Sequence, residues 1–416
     1  MDPKSLFLPF VFRFLPTPGP GGLVSLVLSH LLDVDASNMV HVTRFLDVQE
    51  VLERDDDFSV RLYDGKMKAT TGEFILGMNE LSRYEPEARI VYKAVRREDA
   101  ALARKIAAEE TEAALAPLRR RGRLDVVKDI ADIVPIRFVN RYYGTEVPDP
   151  EALLRLYQTT SKYLFAFWDH PAMRAEAEAA GGDLRKTLDD LVAKRRASGD
   201  FSDRDLMGRM LASDEKFHDG DIGIRRSIAG LSSGNINAPL GLFVLAVDKI
   251  LSLPKDRIRT ANALARSGTA GSEPDLLAFR DWFHEAERFV VYPPFSYRYA
   301  ESETTLAEGT PRQKRIPKGC TVVTWQSLAA FDPDVFDAPY DFRPGRPRWT
   351  VNGFGHARHH CVGEAVGQVM LEEMARGLFS LPGVRRAPGD AGVVKYKSIP
   401  EGKYATSFGV EFDAES

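Results

Sequence analysis

Cysteine is nearly absent from this chain: Cys320 and Cys361 are the two in 416 residues. A pair cannot build the disulfide framework of a small secreted domain, and such scarcity suits a reducing compartment. A charge excess is missing too. Lys and Arg number 56 against 60 Asp and Glu, a formal net charge of −4, which excludes the basic surface that nucleic acid or an anionic bilayer demands. No apolar run reaches the ~20 residues needed to span a bilayer; the longest candidate is residues 238–247. The apolar start, MDPKSLFLPFVFRFLPTPGPGG, is interrupted by Pro9, Arg13 and Pro16 and has neither a basic opening nor a small-residue cleavage site, so a secretion signal is not expected. Repeats and low-complexity segments are also lacking. These absences point to a cytoplasmic soluble protein with no nucleic-acid and no membrane partner.

What is present fits a globular protein: 44% hydrophobic and 28% charged residues. Length alone suggests roughly 3 domains, but no linker-like break appears. The expectation is one mainly α domain over residues 1–416 with small β-sheets. Residues 39–45 (MVHVTRF) alternate as a strand, DVQEVLER follows as a helix, and FSVR stands at 58–61. Residues 96–121 are rich in strong helix formers. Leu184, Leu188 and Leu191 make a core-facing stripe. Asp219 to Leu253 reads as one long helix ending before Pro254. A helix near 276–291 stops at Pro293-Pro294. IPKGCTVVTW reads as turn then strand, and FDPDVFDAPYDFRPGRP is a long irregular segment of the kind that carries function. The last helix, from Gly363, buries Val366, Val369, Met370, Met374 and Leu378.

Chemistry concentrates in NGFGHARHHCVGEAVGQVMLEE, residues 352–373. Cys361 sits in a Gly-flanked polar loop directly before a helix. Unpaired N–H groups and the helix dipole are expected to lower its pKa and favour the thiolate, with Arg358, His359 and His360 adding positive charge. Three readings compete. A buried structural cysteine fits the Arg-His-His crowd poorly. Zinc held by His356, His359, His360 and Cys361 lacks the second ligand cluster that structural zinc uses. Axial ligation of haem iron needs one cysteine only.

Here the sequence resembles the cytochrome P-450 family. The family's signature is a Phe, a Gly three residues on, a basic residue, the Cys, and a Gly two beyond. This chain has Phe354, Ala357, His359, Cys361 and Gly363. Ala357 is the departure, at a tight turn where a methyl group must be tolerated. Upstream, Glu285 and Arg288 lie at i and i+3, where opposite charges pair, and the resemblance adds Arg346 as third member of a network bracing the thiolate loop. It also implies that Arg298 and His359 hold haem propionates, with Phe354 beside the cofactor. The implied fold is that of a cytochrome P-450, and the implied cofactor is haem b, iron protoporphyrin IX, with Cys361 as axial thiolate and metal ligand. The resemblance covers nearly the whole chain.

The central helix departs from the family. There an acid followed by a threonine organises the water that supplies protons during dioxygen use. Counting back from Pro254, Asn237 falls on the acid and Ala238 on the threonine, with Pro239 next. A shift of one places Pro239 on the threonine, and either way the acid–alcohol pair is absent. An amide cannot relay protons as a carboxylate does, and alanine forms no hydrogen bond. Pro239 should kink the helix, eased by Gly234 and Gly241. For Asn237 two roles stand open: a bond to distal water or a polar substrate atom, or capping of backbone groups freed by Pro239.

Three functions follow. The first is a monooxygenase of secondary metabolism that oxidises a small apolar substrate with electrons from a ferredoxin and its reductase. The second is a non-classical haem-thiolate enzyme that uses peroxide, or rearranges or dehydrates an oxygenated or N–O substrate. The third is a non-catalytic haem or ligand binder. Ferredoxin docking is expected near Arg346, Arg348 and Arg358. Arg89 and Lys93 are either cofactor contacts or solvated charges. Cys320 is expected in the core. Residues 163–169 (YLFAFWD), Phe295, Tyr297 and Tyr299 are candidates for the pocket lining.

Overall fold

A computed structural model describes residues 38–166, 171–347, 352–399 and 402–414. The apolar start, Phe167 and Trp168 of the aromatic segment, and Arg348 lie outside the described residues. The helices are α1 (Phe45–Glu53), α2 (Asp64–Ala69), α3 (Leu81–Ala94), α4 (Ala100–Leu115), α5 (Val134–Tyr143), α6 (Pro150–Leu164) and α7 (Pro171–Ser198). They continue as α8 (Leu206–Ala212), α9 (Asp221–Ala238), α10 (Val244–Ile250), α11 (Lys255–Thr269), α12 (Glu273–Phe289), α13 (Gln326–Ala329) and α14 (Glu364–Ser380).

Short strands complete the fold. β1 (Met39–Val42), β2 (Phe58–Ser59), β4 (Ser296–Ala300) and β7 (Thr321–Thr324) form one sheet in the order β1-β7-β4-β2. Within it β1 and β7 run parallel and the other pairs antiparallel, with Arg298 opposite Val322. β3 (Arg123–Asp125), β11 (Gly409–Glu411) and β8 (Arg385–Arg386) make a second sheet. β5 (Thr304–Leu306) pairs with β6 (Lys314–Ile316), and β9 (Lys395–Ile399) with β10 (Gly402–Ser407). The mainly helical reading with small sheets is therefore correct. Cys320 is 1% exposed and packs in the core beside the first sheet, as expected.

The centre of the molecule is α9, which packs against α5, α6 and α7. The long helix expected over Asp219–Leu253 is present but broken. After Ala238 the chain widens into a π-helical turn, Pro239–Phe243, and resumes as α10. Pro239 has no N–H to return to the Asn235 carbonyl, so the local ladder must re-form with a longer span. Gly241 sits where a Cβ would lie 2.3 Å from the Tyr292 ring, so close packing requires the glycine there. By length and composition the run Asp221–Ile250 could cross a membrane, contrary to the count of apolar runs, yet 78% of its apolar window is buried inside the protein. Its apolar face meets other helices.

α14 lies across α4, α11 and α12 and presents its N-terminus to the segment that carries Cys361. Val366, Val369, Met370, Met374 and Leu378 are all buried, as their spacing predicted. In α7, Leu184 and Leu188 are fully buried and Leu191 packs partly against the same core.

Candidate functional site

The cysteine loop is built from a tight reversal. The Cys361 N–H donates to the Phe354 carbonyl at 2.8 Å, and α14 starts three residues beyond the cysteine. Gly355 and Ala357 both carry left-handed backbone, at φ 77° and 53°. The methyl of Ala357 therefore stands where glycine would be unstrained, a cost on the order of 1 kcal/mol.

The sulfur's surroundings correct one expectation. Burial pushes the thiol up to about 11, while the Gly363 and Glu364 backbone N–H groups pull down and the Glu364 carboxylate pushes further up. Desolvation outweighs the helix N-terminus. A sulfur so placed is a weak nucleophile at neutral pH and a suitable ligand for a metal cation, whose charge offsets the desolvation. The expected crowd of positive charge is also dispersed. His356 pairs with Glu53 at 2.6 Å, His360 with Glu364 at 2.8 Å, and Arg358 with Asp55 at 3.3 Å. Burial and the nearby Arg298 and Arg358 charges lower His359 to about 3, so it is neutral. Among the described residues no group of three or more His, Cys, Asp or Glu converges to hold a metal ion, which removes the zinc alternative.

Behind the loop lies a buried ion network. Arg288 donates through Nη2 and Nε to the Glu285 carboxylate at 2.8 and 3.1 Å. Arg346 Nε and the Arg343 backbone N–H reach the same carboxylate at 3.3 and 2.9 Å. Further donors of the two arginines bind the carbonyls of Ala330, Ala338 and Asp341. The irregular segment that looked functional is thus tied to α12 by charge-assisted bonds. Arg346 faces inward, and Arg358 is drawn to Asp55 and the Tyr84 ring, so these two do not form the basic docking face expected of them.

One wall of the site holds unused donors. Arg298 is 5% exposed; its Nη1 binds only the adjacent Tyr297 carbonyl, and its Nε is buried without a partner. Burial lowers its pKa, against the pull of Tyr63 and Asp55. His359 Nε2 lies 3.4 Å from Asp55 Oδ1, and its Nδ1 is buried without a hydrogen-bond partner. A buried guanidinium with an idle N–H beside a neutral imidazole suits an anionic group such as a carboxylate. Together with the sulfur, this donor set fits a haem and its propionates.

The helix α9 supplies the opposite wall. From Leu231 to Gly241 it is buried except at Gly234, which is exposed, and Ala238, which is partly so. The two are one turn apart on one face, and a Cβ on Gly234 would meet nothing within 4 Å. This strip offers room and no acid or alcohol. Asn237 faces elsewhere, with its amide donating to Ser161 Oγ and the Ser233 carbonyl at 2.8 Å each. It caps neither the carbonyl freed by Pro239 nor the open strip; it fastens α9 to α6. Around it, Asn237 Oδ1, Ser232 Oγ, Ser233 Oγ and Tyr157 OH are buried without hydrogen-bond partners.

Other expectations resolve simply. Arg89 and Lys93 both reach Glu215 on the surface and are solvated charges. Phe295 packs on Trp325, Tyr297 stacks on Tyr63 at 4.2 Å, and Arg61 lies over Tyr299. The sequence reading missed Asp55, Tyr84, Tyr143 and Asn235. Tyr84 donates to the Arg358 carbonyl at 2.7 Å and meets the His359 ring edge-on. That contact joins positions 274 apart in sequence, and no local pattern signals it.

No family model matches the chain. Its structure is similar to the crystal structure of CalO2, with TM-score 0.78 and 21% identity over 94% of this chain and 96% of that one. It is also similar to P450BioI in complex with an acyl carrier protein bearing hexadec-9Z-enoic acid, with TM-score 0.79 and 15% identity over 96% and 100%. Among curated proteins, the cytochrome P-450 monooxygenase DoxA of Streptomyces peucetius subsp. caesius is 31% identical over 26% of this chain and 25% of its own length. The bifunctional dioxygenase–epoxy alcohol synthase of Fusarium oxysporum (strain Fo5176) is 30% identical over 39% of this chain and 12% of its own length.

Proposed function

The chain has the cytochrome P450 fold, and on that premise we propose that it is a single-domain haem-thiolate oxidoreductase, a monooxygenase acting on a small apolar substrate. The observation that carries this reading is the buried Nε of Arg298, left without a partner close to His359, which stands two residues before Cys361. Haem b, when bound, would supply the redox chemistry, with Cys361 as the thiolate that would hold its iron. The protein's own residues do the rest. Arg298 and neutral His359 hold the propionates through N–H donors. Phe354 fixes the cysteine N–H through its carbonyl. Gly234 and Ala238 leave space on the distal side, and Pro239 opens the helix beside it. Electrons come from a ferredoxin and its reductase. The burial of Asp221–Ile250 inside the protein supports a role for that run as a core helix rather than a membrane span.

A second reading is favoured by the distal strip. With Ala238 and Gly234 there, no side chain on that face supplies a proton, which suits a substrate that brings its own oxygen functions. The Fusarium relative, an epoxy alcohol synthase joined to a dioxygenase, is of this oxygen-rich kind.

Spectroscopy tests the premise. The reduced parent protein should give the thiolate-type carbon monoxide difference band, and Cys361→Ser should abolish it; a band that persists refutes the ligand. Turnover then separates the readings. Product formed under air from NADH, ferredoxin and reductase supports the monooxygenase. Product formed anaerobically from an organic hydroperoxide alone supports the rearrangement.

A further inference from the structure

The N-terminal turn of α14 has a notch made by two glycines four residues apart, Gly363 and Gly367. A buried amide from the distal helix fills it. A Cβ on Gly367 would lie 2.7 Å from Asn235 Oδ1, and one on Gly363 would lie 3.7 Å from Asn235 Nδ2 and 3.9 Å from Cys361 Sγ. The amide and the sulfur therefore flank the same spot. Asn235 is 7% exposed, and its Nδ2 donates to the hydroxyl of Tyr143, the fully buried last residue of α5. Burial, then Tyr142 and Cys361, keep the Tyr143 phenol protonated. Three helices thus converge on the cysteine loop through one short polar chain of neutral groups.

Neither residue serves any step described above. A buried Asn–Tyr pair in an apolar helix junction gains little stability over well-packed apolar side chains, so its chemistry is better sought in what lies beside it. The electron-donating power of a metal-bound sulfur is set by hydrogen bonds and dipoles around it. Tyr143 takes one of the two N–H groups on Asn235 Nδ2, and that nitrogen lies against Gly363, on whose other side the sulfur stands.

We propose that Asn235, oriented by Tyr143, is a positioning residue that sets the donor strength of the Cys361 thiolate. The inference rests on the haem-thiolate reading and concerns its tuning. The amide dipole stabilises charge on sulfur and so moderates donation to the iron. The notch glycines are part of the device, because an alanine at 367 would collide with the amide oxygen.

The test uses the haem-loaded full chain and reads potential and spectrum rather than turnover. Asn235→Ala should make the ferric/ferrous midpoint potential more negative and shift the carbon monoxide band to longer wavelength. Tyr143→Phe, which deletes one oxygen, should shift both in the same direction by a smaller amount. Unchanged potential and band in Tyr143→Phe and Asn235→Ala, with haem stoichiometry kept, would overturn the proposal even if thermal stability falls. Should Asn235→Ala fail to fold, Tyr143→Phe decides alone. A parent protein without the thiolate band would instead sink the haem-thiolate reading itself.

Discussion

Two polar regions of the molecule were built under different constraints. The ion network on α12 is saturated: Glu285 receives bonds from Arg288, Arg343 and Arg346, and the arginines' further donors end on carbonyls. The wall of α9 is loose: four polar atoms around Asn237 lack partners, and Gly234 and Ala238 leave open space. A buried carboxylate must be satisfied by particular partners in particular places, or its charge is too costly to bury. A distal helix need only cover the pocket, so its residues can change with the chemistry. The orphaned hydroxyls of the α6–α9 seam are the kind of group that ordered water satisfies.

The contrast can be broken at five points. Glu285→Ala leaves Arg288 and Arg346 as unpaired buried charges and should cost about 3–5 kcal/mol. Thermal unfolding would show this as the largest loss, with haem retention falling alongside. Arg298→Ala removes charge-assisted donors worth about 1.5–3 kcal/mol, so haem should dissociate about 10- to 100-fold more readily; equal retention would deny the propionate role. On the loose wall, Asn237→Asp replaces an amide N–H donor with an acceptor facing the Ser233 carbonyl and should destabilise by about 1–3 kcal/mol in denaturant titration. Ala238→Thr beside it, facing open space, should change stability by less than about 0.5 kcal/mol. It is the cleaner way to ask whether a missing hydroxyl limits NADH-dependent oxygen use. One effect runs the other way. Ala357→Gly relieves left-handed strain and should stabilise by about 0.5–1 kcal/mol.

The legible parts of the sequence were those with local grammar. The i, i+3 spacing of Glu285 and Arg288, the apolar stripe of α14, and the Pro-Pro stop all act within one helical turn or one peptide. Pro239 announced its break for the same reason. The failures were of another kind. Arg358 looked like part of a surface patch because its partner, Asp55, stands 303 positions away, while the bond of Arg346 to Glu285, 61 positions apart, was anticipated only through the family resemblance. Arg89 and Lys93 could not be placed until Glu215 was brought beside them.

From residues alone came the helical class, the sulfur proposed to bind the cofactor, and the absence of an acid–alcohol pair on the distal helix. Each depends on covalent identity or on spacing inside one element, which folding cannot alter. Tertiary packing decided that the Cys361 thiol is pushed up to about 11, that His359 is neutral, and that Asn237 turns toward α6. Those are outcomes of desolvation and of partners distant in sequence, and burial exists only once the chain has closed around them.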